Sequence, residues 1–285
     1  MVAQDGREMI AEKSPFRLAG GAQPLVLVPV SVNAASPREF ILDTGAGTTL
    51  LSPEFARELN VEITGSKEAQ TAGGRVTAKL ARVESITVGH AACSNMDVAI
   101  TDLSALSRAV SAHIDGDLGY NFLKHFRLTL DFCMNELRID EPNRVDYFGS
   151  PALAELPIRL AHSSKPLILL DAHIDKHGPF VFALDTGTST SAISLELARQ
   201  LNLSTAPLPP VTTGGAPIQV SAARLPSLRI ANLEEHALDV MAGGFLPMLS
   251  SAIGTKLDGI IGYNFLRHYK VVIDYPGATL GLFAV

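Results

Sequence analysis

An all-β protein built from two homologous lobes is the fold that this sequence predicts. Two observations support it: the sequence repeats itself, and each copy consists mainly of short apolar runs cut by Gly, Pro and Asn. Runs such as REFILD, RVESITVG and FRLTLDF are strand-sized and rich in Val, Ile and Leu. Each lobe is therefore expected to be a small β-barrel with short helices.

The repeat is clearest in the stretch FILDTGAGTTLLSPEFARELNV, Phe40 to Val61, which returns as FALDTGTSTSAISLELARQLNL, Phe182 to Leu203. The two stretches agree at 12 of 22 positions without a gap. A later block, IDGDLGYNFLKHFRLTLDF from Ile114, returns as LDGIIGYNFLRHYKVVIDY from Leu257. A repeating unit of this length is a domain-sized lobe and is far too long for a solenoid.

The repeat divides the chain into three predicted parts. These are an N-terminal extension over residues 1–14, a first lobe over residues 15–146 and a second lobe over residues 147–285. The boundary falls in EPNRVDYFGSPA, Glu141–Ala152, whose polar composition with Pro and Gly is typical of a linker.

Two short helices are predicted in each lobe. The first begins in SPEFARELN, where Ser52 is a suitable N-cap and Pro53 fits the first helical position. Its copy begins at Ser194. The second helix is expected in NFLKHF and NFLRHY, started by Asn121 and Asn264.

The composition excludes several classes of protein. Apolar residues make up 47% of the chain and charged residues 18%, which argues against long disordered segments. The net charge of −6 argues against a nucleic-acid partner, and no apolar run is long enough to span a bilayer. The N-terminal residues lack a signal-peptide pattern, which fits a cytoplasmic protein or one whose signal was removed. Both cellular locations therefore remain as alternatives.

No metal or cofactor site is predicted. Cys93 and Cys133 lack metal-ligand spacing, and the favoured interpretation is two buried free thiols, with a disulfide as the alternative. The acidic residues Asp115, Asp117 and Asp258 precede the glycines of the later block without His or Cys beside them. Isoleucine replaces Asp117 in the second copy, and no phosphate-binding glycine motif is present.

The Asp-Thr-Gly turn is the strongest candidate for a functional element. In both copies an apolar strand ends in this tripeptide, so a carboxylate is delivered beside an apolar core, where an unpaired charge is costly. A single copy would be read as an Asx turn at a strand end. Both copies keep the tripeptide although neighbouring positions, such as Ala46 and Thr188, have diverged.

Each copy resembles a lobe of a retropepsin- or pepsin-type aspartic protease. The resemblance rests on DTGA and DTGT after an apolar run, and on the later DLGYNFL and IIGYNFL, where Gly119 and Gly262 precede a short helix. It extends over nearly the whole chain from about Pro15 onward. Each unit is most similar to the single-lobe bacterial aspartyl protease family, and the fused pair resembles the bilobal arrangement of pepsin.

The resemblance implies an active site between the lobes in which Asp43 and Asp185 share a proton and a water molecule. Two adjacent carboxyl groups titrate in separate steps, so one can act as base while the other acts as acid. Because Thr188 carries a hydroxyl that Ala46 lacks, Asp185 is expected to be the base in the resting state. The residues expected to support the pair are Thr44, Gly45, Thr186, Gly187 and Thr188.

Two glycine pairs are candidates for flap tips that close over an extended peptide. They are Gly73 and Gly74 in TAGGRV, and Gly214 and Gly215 in TTGGAPIQV. The alternative is that both are ordinary surface hairpins. Neither segment has a tyrosine like that of the pepsin flap, so the resemblance does not extend to a pepsin-like substrate clamp.

Three functional hypotheses follow. The first is a monomeric aspartic endopeptidase that acts on peptides or proteins, with both aspartates supplied by one chain and no cofactor. The second is a peptide-binding module of the same fold without catalysis, although the intact tripeptide in both copies argues against it. In the third, an enzyme pairs like lobes from two chains.

Overall fold

The computed structural model describes residues 13–141, 151–162 and 165–285 of the chain. The predicted extension, residues 1–14, and the predicted linker, Glu141–Ala152, lie mostly outside these residues. The lobe boundary between residues 146 and 147 also lies outside them and stays a prediction.

The described residues form eleven strands and three helices in each half of the chain, and the elements occur in the same order. The first half contains β1 (Lys13–Pro15), β2 (Arg17–Ala19), β3 (Leu25–Val32), β4 (Arg38–Leu42), β5 (Leu50–Leu51), α1 (Pro53–Glu58), β6 (Ile63–Thr71), β7 (Gly74–Val88), β8 (Ala91–Ile100), α2 (Ser104–Val110), β9 (Gly116–Leu118), α3 (Tyr120–Leu123), β10 (Arg127–Asp131) and β11 (Glu136–Asp140). The second half contains β12 (Ala154–Pro157), β13 (Arg159–His162), β14 (Lys165–Ile174), β15 (His177–Leu184), β16 (Ala192–Ser194), α4 (Leu195–Gln200), β17 (Ala206–Pro207), β18 (Val220–Ile230), β19 (Leu233–Gly243), α5 (Leu246–Ile253), β20 (Gly259–Ile261), α6 (Tyr263–Leu266), β21 (Lys270–Asp274) and β22 (Thr279–Phe283).

Each lobe is built on an eight-stranded sheet, and the two sheets have the same topology. The strand order is β2-β3-β4-β9-β5-β8-β7-β6 in the first lobe and β13-β14-β15-β20-β16-β19-β18-β17 in the second. Additional pairings, β3 with β7 and β14 with β18, curl each sheet toward a barrel. The predicted all-β, two-lobed fold is confirmed, since 52% of the described residues are in strands and 13% are in helices.

A six-stranded sheet, β1-β11-β10-β21-β22-β12, joins the two lobes. At its centre β10 pairs antiparallel with β21, so that Thr129 lies opposite Val272. The Lys270 ammonium lies 3.0 Å from the Asp131 carboxylate across this pairing. The lobes therefore share backbone hydrogen bonds as well as side-chain contacts.

Apolar packing continues from one lobe into the other through a single cluster of buried side chains. Phe40 and Phe182 occupy equivalent places in this cluster, and both are completely buried. Each ring lies against a glycine: a Cβ at Gly116 would lie 2.1 Å from the Phe40 ring, and a Cβ at Gly259 would lie 2.2 Å from the Phe182 ring. Glycine is therefore needed at positions 116 and 259 because a side chain there would collide with a core aromatic ring.

The first predicted helix of each lobe is confirmed together with its cap. The Ser52 hydroxyl accepts a hydrogen bond from the Phe55 N–H at 3.1 Å, and Pro53 occupies the first turn of α1. The Ser194 hydroxyl accepts from the Leu197 N–H at 3.0 Å at the start of α4. Both serines satisfy a backbone donor that the helix itself leaves free.

The start predicted for the second helix is wrong by one residue in each lobe. Helix α3 begins at Tyr120 after Gly119, and α6 begins at Tyr263 after Gly262, with no side-chain cap at the start of either helix. Asn121 lies inside the helix because its side chain binds a neighbouring loop instead of the helix start. Each lobe also contains a further helix, α2 or α5, that the sequence analysis did not predict.

Both cysteines are free, and no disulfide joins them. The expectation of two buried thiols is wrong for Cys133, which lies exposed in the turn between β10 and β11. Cys93 is half-buried on β8. Within the described part of the chain, none of the helices has the length and apolar character needed to cross a membrane.

Candidate active site

Paired strands place the two Asp-Thr-Gly turns. In the first lobe β4 ends at Leu42, and the Asp43 N–H donates to the Leu118 carbonyl of β9 at 3.1 Å. In the second lobe the Asp185 N–H donates to the Ile261 carbonyl of β20 at 3.0 Å. Each aspartate thus begins its turn from a fixed position at the end of a buried strand.

Hydrogen bonds within each turn orient the carboxyl group. The Asp43 Oδ1 atom accepts from the Gly45 N–H at 2.6 Å and from the N–H of the next residue at 3.0 Å. The Asp185 Oδ1 atom accepts from the Gly187 N–H at 2.8 Å. The Thr188 hydroxyl donates to Asp185 Oδ2 at 2.8 Å, as the sequence suggested.

The two threonines of the turns bond across the lobe interface. The Thr44 N–H donates to Thr186 Oγ1 and the Thr186 N–H donates to Thr44 Oγ1, each at 3.1 Å. The Thr186 hydroxyl then donates to the Leu42 carbonyl at 2.7 Å, and the Thr44 hydroxyl donates to the Leu184 carbonyl at 3.3 Å. Four buried hydrogen bonds therefore fix one turn against the other.

The turn glycines lie against the opposite aspartate. A Cβ at Gly45 would lie 2.7 Å from the Asp185 Cγ, and a Cβ at Gly187 would lie 2.5 Å from the Asp43 Cγ. Any larger residue would displace a carboxyl group. These positions therefore require glycine because the other lobe's carboxyl group occupies the space.

The carboxyl groups of Asp43 and Asp185 lie together between the lobes, each against the turn glycine of the other lobe, and each acts on the pKa of the other. Burial, and next the charge of Asp117, raise the pKa of Asp43 to about 8, although the neighbouring Asp185 and the bond from the Gly45 N–H act in the opposite direction. Burial and the charge of Asp43 raise the pKa of Asp185 well above its usual value. The pair therefore retains at least one proton at neutral pH.

Asp117 is a third carboxyl group beside this pair, and the sequence analysis assigned it no function. It lies on β9, which pairs with β4, is 6% exposed, and its Oδ1 atom has no hydrogen-bond partner among the described residues. Burial, together with the charge of Asp185, raises its pKa to about 8, and the neighbouring Asp43 partly offsets this rise. The sequence signal for this position was a difference between the two copies, in which Asp117 of the first corresponds to Ile260 of the second.

A half-buried asparagine fixes the loop after each turn, and the sequence analysis missed this role as well. The Asn121 Oδ1 atom accepts from both the N–H and the hydroxyl of Thr49, each at 2.8 Å, and that hydroxyl accepts from the Gly119 N–H at 3.1 Å. Asn264 and Ser191 repeat the arrangement in the second lobe. The identical YNFL in both copies was the sequence signal.

Aromatic contacts cross between the lobes beside the site. Tyr120 packs edge-on against Tyr275, with ring centroids 5.3 Å apart. Tyr263 packs in the same way against Phe132 at 5.5 Å. Each tyrosine that follows the second glycine motif therefore contacts the other lobe.

The two glycine-pair segments meet each other. The Ala216 N–H donates to the Gly73 carbonyl at 3.1 Å, and a Cβ at Gly215 would lie 2.5 Å from the Thr71 hydroxyl. Ala72 packs against the apolar cluster of the second lobe. The first segment is the turn of the β6–β7 hairpin, whereas the second is a loop held by one bridge between Val211 and Ile218. Their role as flaps stays a prediction.

The remaining acidic candidates lie in separate places. Asp115 lies 3.1 Å from the His113 ring nitrogen, and Asp258 lies 3.1 Å from the Lys256 ammonium. Among the described residues, no group of three or more His, Cys, Asp or Glu side chains is arranged to hold a metal ion.

Comparison with known proteins agrees with this geometry. A search of curated proteins finds no match. A family model described as aspartyl protease matches the chain twice, over residues 28–122 and 170–265, which together cover more than half of it. The two matches contain the two Asp-Thr-Gly turns and the two later glycine motifs. The chain therefore belongs to the aspartyl protease family, with two copies of the family's unit in one polypeptide.

Proposed function

We propose that this protein is an aspartic endopeptidase whose catalytic residues are Asp43 and Asp185. The observation that carries the proposal is the pair of carboxyl groups, one from each lobe, at the ends of equivalent strands and each against the turn glycine of the other lobe. The four threonine bonds beneath them support it, because general acid–base catalysis requires both groups to be held in position.

The chemistry needs one charged and one protonated carboxyl group. The charged group takes a proton from a water molecule while the oxygen of that water attacks the peptide carbonyl carbon. The protonated group gives its proton to the carbonyl oxygen, and the tetrahedral intermediate then collapses with proton transfer to the leaving nitrogen. A raised pKa in both aspartates supports this division, because a doubly ionised pair would lack the acid.

The test is a single substitution in each aspartate. Asp43→Asn and Asp185→Asn are each expected to lower kcat by a factor of about 1,000 or more, because neither acid nor base can act alone. Asp97→Asn, at an exposed side chain that pairs with Arg82, is the matched control and should keep full activity. The assay follows cleavage of a peptide library across pH, with and without a hydroxyl-bearing transition-state mimic. Near-normal turnover by either single variant would disprove the proposal.

We also propose that one chain forms the catalytic unit. The pairing of β10 with β21 brings the two lobes of one polypeptide together, and a linked partner is present at a high effective concentration. Activity per molecule should stay constant on dilution into the nanomolar range. Mixing Asp43→Asn with Asp185→Asn should restore no activity, whereas recovery on mixing would show that the pair forms between chains.

A further inference from the structure

Asp117 lies on the face of the first lobe's sheet that points away from the core shared by the two lobes. In β9 the side chain of Leu118 enters that shared core, so the side chain one residue earlier faces the opposite side. Its cross-strand neighbours there are Ile41 of β4 and Leu50 of β5. Both belong to, or pack against, a separate apolar cluster of the first lobe. Asp117 is therefore an acid with apolar neighbours on both adjacent strands.

The second lobe has an isoleucine at the equivalent place. Ile260 of β20 lies between Ala183 of β15 and Ala192 of β16, and all three belong to an apolar cluster of the second lobe. Ala72, from the first glycine-pair segment, packs against the same cluster. The face that carries Ile260 is therefore one that a glycine-pair segment covers, and Asp117 lies on the corresponding face of the first lobe.

Both positions adjoin the strand ends that carry the aspartate pair. The carbonyl of the residue after Asp117 accepts the Asp43 N–H at 3.1 Å, and the carbonyl of the residue after Ile260 accepts the Asp185 N–H at 3.0 Å. A peptide bond held between the two aspartates thus has the first lobe on one side and the second lobe on the other. Its two flanking side chains meet an acid in one lobe and an isoleucine in the other.

We propose that Asp117 selects substrates with a lysine or arginine on one side of the scissile bond, and that Ile260 receives an apolar side chain on the other side. The inference rests on the proposed endopeptidase function and adds the class of peptide that the site cleaves. Asp117 is 6% exposed, and its Oδ1 atom has no hydrogen-bond partner among the described residues. An ammonium or guanidinium group of the substrate supplies the missing donor.

A cationic side chain fits this place better than a neutral one. Burial raises the pKa of Asp117 to about 8, so the acid keeps its proton while no cation is near. A positive charge within about 4–6 Å lowers the pKa of a carboxyl group by about 1–3 units, which brings Asp117 to ionisation at neutral pH. The apolar stem of a lysine or arginine packs against Ile41 and Leu50, whereas an apolar side chain leaves Oδ1 without a donor.

The first test compares cleavage of peptides that differ in one side chain. A peptide library digested at pH 7 and analysed by mass spectrometry should show lysine or arginine enriched at one of the two positions that flank the cleaved bond. For two peptides that differ only by lysine or norleucine at that position, kcat/KM should favour lysine about thirtyfold or more, as is typical of a buried charge pair.

Variants show which residue sets the preference. Asp117→Ile, which copies the second lobe, should bring the ratio of lysine to norleucine cleavage to about one or below. The exchange of Asp117→Ile with Ile260→Asp keeps one acid in the site and should move the basic preference to the other side of the scissile bond. Asp115→Asn is the matched control, because Asp115 is 5% exposed but pairs with His113, and it should keep the wild-type ratio.

Two results would overturn the inference and leave the proposed peptidase function intact. One is cleavage by the wild-type protein without a preference for a basic residue at either flanking position. The other is a preference for lysine that persists unchanged in Asp117→Ile.

Binding separates the inference from the peptidase activity itself. Two peptides with a hydroxyl-bearing mimic in place of the scissile amide are prepared, with lysine or norleucine beside it. In calorimetry the lysine form should bind the wild-type protein about thirtyfold more tightly, and the two forms should bind Asp117→Ile within about threefold of each other. Tighter binding of the lysine form without cleavage of any peptide would support the inference and refute the activity. Equal binding of both forms, or binding of neither, would overturn the inference.

Discussion

The hydrogen bonds between the Asp-Thr-Gly turns give a prediction whose size follows from the structure. Thr186 is 3% exposed, and its hydroxyl both donates to the Leu42 carbonyl and accepts from the Thr44 N–H. Thr186→Val keeps the shape of the side chain but deprives these two buried backbone groups of their partner. A buried polar group left without a partner costs about 1–3 kcal/mol, so the free energy of unfolding should fall by about 2–6 kcal/mol.

The measurement is urea-induced unfolding followed by circular dichroism. One transition is expected, because a continuous apolar cluster and the central six-stranded sheet connect the lobes. Thr44→Val should cost less than Thr186→Val, because the Thr44 hydroxyl makes a longer bond to its carbonyl partner, 3.3 Å against 2.7 Å. Both variants should keep the wild-type slope of free energy against urea concentration.

The matched control is Thr129→Val. Thr129 is equally buried and also lies at the lobe interface, but its hydroxyl has no hydrogen-bond partner within the described residues. Valine already occupies the opposite position, Val272, so this change should alter stability by less than about 1 kcal/mol. If Thr186→Val cost no more than Thr129→Val, the cross-lobe bonds would not stabilise the fold and the reasoning would fail.

Two further predictions concern the carboxyl cluster. Gly187→Ala should lower kcat/KM by about a hundredfold or more, because the new Cβ would lie 2.5 Å from the Asp43 Cγ. Gly65→Ala, on β6, where a Cβ meets nothing within 4 Å, is the control, and comparable losses would refute the steric argument. Folding raises the pKa of Asp43 and Asp117 to about 8, so their protons stabilise the folded state at low pH. This contribution is complete below the unfolded pKa of about 4 and is lost as the pH rises through about 8, so the unfolding free energy should fall over that interval. Asp117→Asn should flatten the decline, and an unchanged slope would contradict the raised pKa of Asp117.

The sequence predicted the features that depend on local chemistry or on duplication. The repeated tripeptide led to the aspartate pair, and the serine caps at Ser52 and Ser194 marked two helices correctly. Helices α2 and α5 lacked such signals, because Leu103 and Phe245 precede them without a side-chain cap and neither helix has an acidic residue in its first turn. These helices form because packing against apolar clusters outweighs their weak start signals.

Long-range contacts explain the misjudged site residues. Asparagine is a residue type that often caps a helix, but the Asn121 side chain instead accepts a hydrogen bond from Thr49, 72 residues earlier in the chain. Asp117 was set aside because the second copy has isoleucine there, but the pairing of β9 with β4 places it beside the strand that leads to Asp43, and the sequence alone does not show that pairing.

The fusion of two lobes makes an odd number of acidic groups attainable in this site. A dimer of two first lobes would bring two copies of Asp117 beside the aspartate pair, giving four buried carboxyl groups. A dimer of two second lobes would bring two copies of Ile260 and only the pair itself. Because a symmetric dimer repeats every substitution, one additional carboxyl group requires two separately encoded lobes.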